Sequence, residues 1–323
     1  MRCLSRFGSY SHSPHGSHLF QHARLTREER RKIHMAKKLQ KPFGDQFTVM
    51  PNGTIKVARQ FHSPTDEYHD EKPFDYLAKV DHSLAIKKKK KYKKKLAEQE
   101  IELNKLVRKL EESGKALIVV FQGRDGAGKS GATSRIVEAL GFDMSIFQGV
   151  PIKKPTEEER AHPYLWRFFR NDRMPAKGQM RVFDRSWAER LLVERVKKLA
   201  PKEALDASYS EIRTFEWLLE QQGCIVVKFW LDITKDEQWK RFEDRRKNKA
   251  WKFTPDDIEA REHWDEYTVC ANEMFLRTGT DYAPWYIISS EDKRYSRVSV
   301  LETINHELRL ALKKVEKAKK LKK

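Results

Sequence analysis

Cysteine is nearly absent from this chain: Cys3, Cys224 and Cys270 are the only three in 323 residues, widely spaced and without a CxxC pair. An odd, scattered set excludes a disulfide framework and a thiolate metal centre, and it suits a reducing compartment. Long apolar runs are missing too. No stretch approaches the ~20 residues needed to span a bilayer, and the first residues lack the apolar centre of a secretory signal. The cytoplasm is the expected compartment, with one alternative. Residues 1–27 carry Arg2, Arg6, Arg24 and Arg27 among serines and no acid, the composition of an organelle transit peptide. Acids are in deficit, 47 against 66 lysines and arginines, for a net charge of +19. So positive a chain calls for a polyanionic partner, and nucleic acid, an anionic membrane surface and inorganic polyphosphate all match that charge.

Where the chain is specific, it is an apolar run feeding a glycine loop: Leu117-Ile118-Val119-Val120-Phe121-Gln122-Gly123-Arg124-Asp125-Gly126-Ala127-Gly128-Lys129-Ser130. Gly123, Gly128, Lys129 and Ser130 satisfy G-x-x-x-x-G-K-[ST]. In that pattern bare backbone N–H groups wrap a phosphate, the lysine reaches its outer oxygens and the hydroxyl holds Mg²⁺. Gly126 is a further bare position in the cradle. The four fixed positions arise by chance in about one chain of this length in a hundred. Residues 132–140 continue with helical periodicity, so a helix N-terminus points at the bound anion. A ligand-free glycine turn is the alternative, but such a turn has no need of lysine followed by serine.

Taken in order, the chain opens with His12, His15, His18 and His22 in a Ser/Gly/Pro-containing stretch. No carboxylate or thiolate joins them, which predicts a disordered tail rather than a metal site. Residues 25–81 are polar and broken by Pro42, Pro51-Asn52-Gly53 and Pro64, as in an arm laid over a domain. The expected organisation is therefore a basic, partly disordered extension over 1–82 and a catalytic domain over 83–323. A helix is predicted over 83–113, with Leu96, Ile101, Leu103, Leu106 and Leu110 on one face. Its opening holds eight lysines in nine positions, Lys87–Lys91 and Lys93–Lys95 around Tyr92. That block is either a solvated face or a docking surface for a long polyanion.

Beyond the loop helix, a strand is predicted over 144–150. A helix should start at Pro155-Thr156-Glu157-Glu158-Glu159 and carry Tyr164, Leu165, Trp166, Phe168 and Phe169. Residues 180–184 read as a short strand ending in Asp184, which fits a Walker B carboxylate for Mg²⁺ and also a helix cap. Helix is expected at 187–196 and 235–246, strand at 224–231 and 285–289, and a terminal helix from about 296 that frays over 313–323. This alternation is α/β, a mainly parallel sheet flanked by helices. Arg241, Arg245, Arg246, Lys247, Lys249 and Lys252 gather more charge than complementing a helix C-terminus requires. In a nucleotide-fold kinase they suit a helical lid, near 241–278, closing on transferring phosphates.

Side by side, these stretches resemble the family-2 polyphosphate kinases, most closely the second half of the tandem polyphosphate:AMP phosphotransferases, over about 92–312. The carriers are Gly123 to Lys129, Pro155-Thr156-Glu157-Glu158-Glu159-Arg160, Tyr164-Leu165-Trp166-Arg167, Phe183-Asp184-Arg185-Ser186-Trp187 and Val193-Glu194-Arg195-Val196. Later come Lys228-Phe229-Trp230-Leu231, Arg241-Phe242 with Arg245, Trp251-Lys252, Arg261 with Trp264-Asp265 and Tyr267, Asp281-Tyr282-Ala283-Pro284-Trp285 and Asp292-Lys293-Arg294-Tyr295. The resemblance implies a P-loop kinase fold and Mg²⁺-dependent transfer of a terminal phosphoryl group between inorganic polyphosphate and a nucleotide. By position it makes Asp125 and Lys129 the loop carboxylate and lysine, Asp184 and Arg185 the Walker B pair, and Arg245 a lid arginine. Three departures stand out. Ser130 occupies a usual glycine position, Ala188 and Glu189 replace a usual tyrosine and a small or polar residue, and 197–208 lacks a Gly-Phe continuation.

The expected catalytic set is thus Asp125, Lys129, Asp184, Arg185 and Arg245. Gly123, Gly126, Gly128, Lys129 and Ser130 would cradle phosphate, and Asp125, Ser130 and Asp184 would hold Mg²⁺. The acceptor is AMP, ADP or a guanine counterpart, no membrane partner is expected, and a homo-oligomer is. Two rivals remain: an ATP-dependent small-molecule or nucleoside monophosphate kinase, and a non-catalytic nucleic-acid-binding P-loop protein.

Overall fold

An apolar run without polar alternation has to be covered on both faces, and Leu117, Ile118, Val119, Val120 and Phe121 are each 0% exposed. The computed structural model describes residues 47–61, 63, 65, 74–141, 143, 145–250 and 253–321, all within one unit, Phe43–Lys323. The histidine-rich stretch, the arginines of residues 1–27 and the Trp251-Lys252 pair lie outside the described residues. Strands β1 (Phe47–Val49), β2 (Ile55–Val57), β3 (Ala116–Gly123), β4 (Phe147–Pro151), β5 (Met180–Asp184), β6 (Cys224–Asp232) and β7 (Trp285–Ser289) form one sheet. Its order is β1-β2-β7-β6-β3-β5-β4. The five strands from β3 to β7 pair in parallel, and β1 and β2 extend the sheet antiparallel beyond β7.

The period-2 pleat sorts the strand side chains into two cores. Leu117, Val119 and Phe121 face the helices Lys89–Ser113, Lys129–Ala139 and Lys293–Leu321. Ile118 and Val120 face the helices Lys202–Gln221 and Trp264–Thr278. Residues 47–57, which the sequence placed with the extension, belong to this sheet. Ile55 and Val57 flank Lys56 and bury one apolar face beside β7, and Gly53, at φ 83°, closes the turn that brings β1 back. Tyr76 and Leu77 are buried in the same core. The unit containing the glycine loop therefore reaches well upstream of residue 83.

Local differences have local causes. The lysine-rich helix begins at Lys89, not 83, and Ile101 is 71% exposed, off the apolar face that Leu96, Leu103, Leu106, Val107 and Leu110 bury. The strand expected at 144–150 is shifted to Phe147–Pro151. The helix capped by Thr156 and Glu159 stops at Ala161, because Pro163 forces His162 out of the helical region, and a 3₁₀ turn follows over Tyr164–Phe168. The segment 187–196 is likewise a 3₁₀ turn, Trp187–Leu191, followed by one helical turn, Val193–Val196. The terminal helix runs to Leu321 instead of fraying from 313, parallel to the lysine-rich helix and tied along it by Lys95 to Glu302 at 3.5 Å, Arg309 to Glu102 at 2.9 Å and Lys319 donating to the Glu112 carbonyl at 3.0 Å.

In the middle of β6 a lysine replaces an apolar residue. Lys228 and Glu216 both have side chains at 0% exposure and pair at 2.7 Å. The Thr278 carbonyl and the Trp187 indole N–H supply the remaining partners, each at 2.8 Å. Because removing one member leaves a charge in a dry core, Lys228→Met should lose about 3–5 kcal/mol of stability. The urea midpoint would report it, and adding Glu216→Leu should recover most of the loss. A single-variant loss below about 1 kcal/mol would contradict the assignment.

Candidate active site

The loop grows from the carboxyl end of β3, where neighbouring strands also end in acids. Pairing sets Phe121 opposite Asp184 of β5, and Gly123 opposite Leu231, one residue before Asp232 closes β6. At the root of the loop Gly123 has φ 141°, and a Cβ there would stand 2.2 Å from the Leu231 carbonyl oxygen. Gly126 and Gly128, at φ 85° and 100°, make the remaining turns in the left-handed region open to glycine.

The loop is held from behind through its carbonyls. Arg241 donates to the oxygens of Gly126 at 3.0 Å and Ser290 at 2.7 Å. Gln238 donates to the Asp125 oxygen at 3.0 Å, and the Ser290 hydroxyl to the Ala127 oxygen at 2.5 Å. Among the described residues no backbone carbonyl accepts from the N–H groups of Gly126 or Gly128. A cradle with its acceptors tied back and these two donors turned to no carbonyl has the form of an anion site. Buried Arg124 anchors one flank, pairing with Asp232 at 3.3 Å, donating to the Thr268 hydroxyl at 2.7 Å and lying 3.9 Å over the Trp264 ring.

In front of the loop is an open cleft of about 340 Å³ lined by Asp125, Lys129, Ser130, Asp184, Arg185 and Arg245. The structure thus brings together Asp125, Lys129, Asp184, Arg185 and Arg245, the catalytic set expected from the sequence. Lys129 Nζ donates to the Gly123 oxygen at 2.9 Å and the Arg124 oxygen at 3.2 Å. The Asp125 carboxylate lies 3.7 Å from both Lys129 and Arg185. Ser130 Oγ donates to Asp184 at 3.4 Å. Arg185 holds φ 67°, rare outside glycine, and its backbone N–H donates to Phe121 at 3.0 Å. Glu189 faces Arg185 at 3.8 Å, and burial pushes its carboxyl pKa up. Arg245 pairs with Asp257 at 3.2 Å, and burial raises the Asp257 carboxyl.

The basic segment 241–278 is not uniform. Arg241 is 6% exposed and clamps the loop, so it is scaffold and not a closing cation. Ala271, Met274 and Phe275 are 0% exposed, with Phe275 edge-on to Trp230 and Trp285, so the far end of the supposed lid is core. Besides Arg241, the residues of this segment that line the cleft are Asp244, Arg245 and Lys249, and the helix Pro255–Glu262 reaches it only through Asp257, the partner of Arg245.

The sequence model of the family Polyphosphate kinase 2 (PPK2) matches residues 86–317. The chain belongs to the polyphosphate kinase 2 family. Over 226 residues it is 46% identical to a polyphosphate:AMP phosphotransferase of Pseudomonas aeruginosa, covering 69% of this chain and 45% of that protein. The chain thus spans about half the length of that relative. It is 32% identical over 273 residues to a GDP-polyphosphate phosphotransferase of the same organism, covering 83% and 71%. The crystal structure of polyphosphate kinase 2 from Arthrobacter aurescens TC1 matches with a TM-score of 0.67 at 35% identity, covering 78% of this chain and 91% of that one. The P-loop kinase fold expected from the sequence is the fold of this PPK2 chain.

The residues that sequence reasoning missed support others. Arg124 sits inside the quoted loop and Asp232 ends a strand as Asp184 does, but only the folded sheet pairs them. His82 was unremarked, and it joins the same network. Its Nε2 is 3.3 Å from Asp232, and its Nδ1 is 3.2 Å from the Ser289 hydroxyl and 3.9 Å from Glu291. The Asp232 hydrogen bond raises the His82 pKa from its ordinary 6.5, with Glu291 and Asp81 adding to it. A raised folded pKa contributes stability that is complete below the unfolded value and lost as pH rises through the folded one. Stability should therefore fall as pH climbs above 6.5, more steeply in the wild type than in His82→Gln. Parallel pH profiles in urea titrations would exclude this contact as a titrating one.

Proposed function

We propose that this chain transfers a terminal phosphoryl group between inorganic polyphosphate and a nucleoside mono- or diphosphate, with Mg²⁺. The observation that carries the reading is the convergence of Lys129, Arg185 and Arg245 with Ser130 and Asp184 on one cleft before a phosphate loop, in a chain of this family. The relatives' own names, AMP in one and GDP in another, support a nucleotide acceptor without choosing it.

The acceptor's phosphate oxygen is anionic near neutral pH, so it attacks the terminal phosphorus without a strong general base. The new P–O bond forms as the bridging P–O bond to the donor chain breaks, and the shortened chain leaves with the electron pair. The barrier lies in bringing two polyanions together, and fixed cations lower it. Lys129 exchanges the Gly123 and Arg124 carbonyls for phosphate oxygens. Asp125, between Lys129 and Arg185, orients both and abstracts no proton. Ser130 and Asp184 offer two oxygens 3.4 Å apart at the cleft, a sparse donor set suited to Mg²⁺, which keeps several waters and takes its other ligands from substrate phosphates. Bound there, the ion would neutralise charge on the transferring group.

Purified protein incubated with Mg²⁺, polyphosphate and each of AMP, ADP, GMP and GDP should phosphorylate at least one nucleotide. Lys129→Ala should remain folded and lose nearly all of that turnover. Turnover with ATP and no use of polyphosphate would favour the ordinary kinase, and nucleic-acid binding without any phosphotransfer the binding protein. For Arg245→Lys, which keeps charge but loses the planar fork, kcat should fall more than KM for polyphosphate rises. A change in KM alone would make Arg245 a docking residue.

A further inference from the structure

The lysine block plays no part in the chemistry just described, yet it begins at the margin of the cleft. Lys87 to Lys91, Lys93 and Lys94 are exposed, and among the described residues none of them has an ion-pair partner, whereas Lys95 pairs with Glu302 at 3.5 Å. The helix they open has no acid in its first turn and no side-chain cap. Cations at that end add to the positive pole of the helix dipole instead of offsetting it. Such a cluster is held together against its own repulsion, which an anion relieves.

A cationic bridge joins the block to the phosphate loop. Arg294 donates to the Lys87 carbonyl at 2.9 Å, and the Ile86 N–H to Asp292 at 3.3 Å, pinning the start of the block to the start of the terminal helix. The first residue of that helix, Lys293, lines the cleft with Lys129 and Gly131. One turn on, the Arg297 guanidinium comes within 3.2 Å of where a Cβ on Gly131 would stand. Positive side chains therefore run from the loop helix across Lys293, Arg297 and Arg294 to the lysines, whose helical portion extends for about 9 Å.

We propose that this track is an outer binding surface for the polyphosphate chain, engaged by long chains and out of reach of short ones. The proposal rests on the phosphotransfer reading for the cleft. A linear polyanion suits the track better than nucleic acid. Base recognition needs open aromatic faces, and the one aromatic residue in the block, Tyr92, is half-buried against the core.

The test compares Lys90, Lys91, Lys93 and Lys94→Gln with a charge-matched control, Lys313, Lys314, Lys317 and Lys320→Gln, toward the far end of the terminal helix, roughly 30–40 Å from Lys293. Binding of long-chain polyphosphate is measured by equilibrium titration over a salt series. The block variant should bind at least about tenfold more weakly at low salt, with a log–log salt slope shallower by up to about 3, while the control stays within about twofold of wild type. Its KM and kcat with the shortest active polyphosphate should be unchanged. Equal losses in both variants, equal losses for long and short chains, no loss at all, or tighter binding of a single-stranded oligonucleotide than of polyphosphate would each overturn the track. If the wild type turned over no polyphosphate, the phosphotransfer reading would fail, and the long-chain titration would still decide the track.

Discussion

The site depends on how closely two parallel strands approach at their carboxyl ends. At Gly123 the β3 backbone turns away from its partner with no room for a side chain before the Leu231 carbonyl of β6. That contact fixes where the loop leaves the sheet. The candidate site is arranged around this exit point: the loop helix beginning at Lys129, the opposing Asp184 at the end of β5, and Arg185 in its left-handed turn just beyond. The switch in strand order at β3, with β5 on one side and β6 on the other, opens the crevice into which these groups project.

Around that crevice the chain separates two kinds of positive charge. Arg124 and Arg241 are buried and have their hydrogen bonds taken by protein carbonyls and acids, so they shape the loop. Lys129, Arg185, Arg245 and Lys293 border the cleft, where their charge can be met by phosphate. The scaffolding charges are neutralised at home, leaving the cleft with a positive surplus. A polyanion entering it exchanges repulsion from its own neighbours for attraction to a fixed array, and a preorganised array needs little rearrangement when charge shifts in the transition state. The Asp232 carboxylate ties the scaffolding set to the wider fold, because it holds Arg124 on one side and His82 on the other.

Much of this was legible in the sequence, for reasons that differ by residue. The loop and β3 are written in contiguous residues with hard steric rules, so glycines, lysine and the unbroken apolar run announced both. Asp184 and Trp285–Ser289 were readable because short apolar strands end abruptly. Arg241 was misread as a lid cation because its partners, Ser290 and Glu291, come from a segment some fifty residues away, and charge alone does not say whether an arginine is buried. The two strands near residues 47–57 escaped notice because three-residue strands carry almost no periodicity, and only the waiting edge of β7 makes them strands. His82 and Asp232 meet across the fold, and no local pattern announces such a pair. The break at Pro163 was visible as a proline, but the aromatic residues after it imitate a continuing helix.

The central claim is that the loop N–H groups and Lys129 receive a phosphate of the transferring chain while Asp184 and Ser130 face the metal. A crystal structure of the complex with Mg²⁺, a nucleotide acceptor and a non-hydrolysable polyphosphate tests this directly. Phosphate oxygens within hydrogen-bond reach of the Gly126 and Gly128 N–H groups, with Lys129 Nζ moved from the Gly123 carbonyl onto phosphate and Mg²⁺ beside Asp184 and Ser130, are what the account predicts. Polyphosphate and nucleotide both bound away from the loop, with Lys129 still on the Gly123 carbonyl, would contradict it.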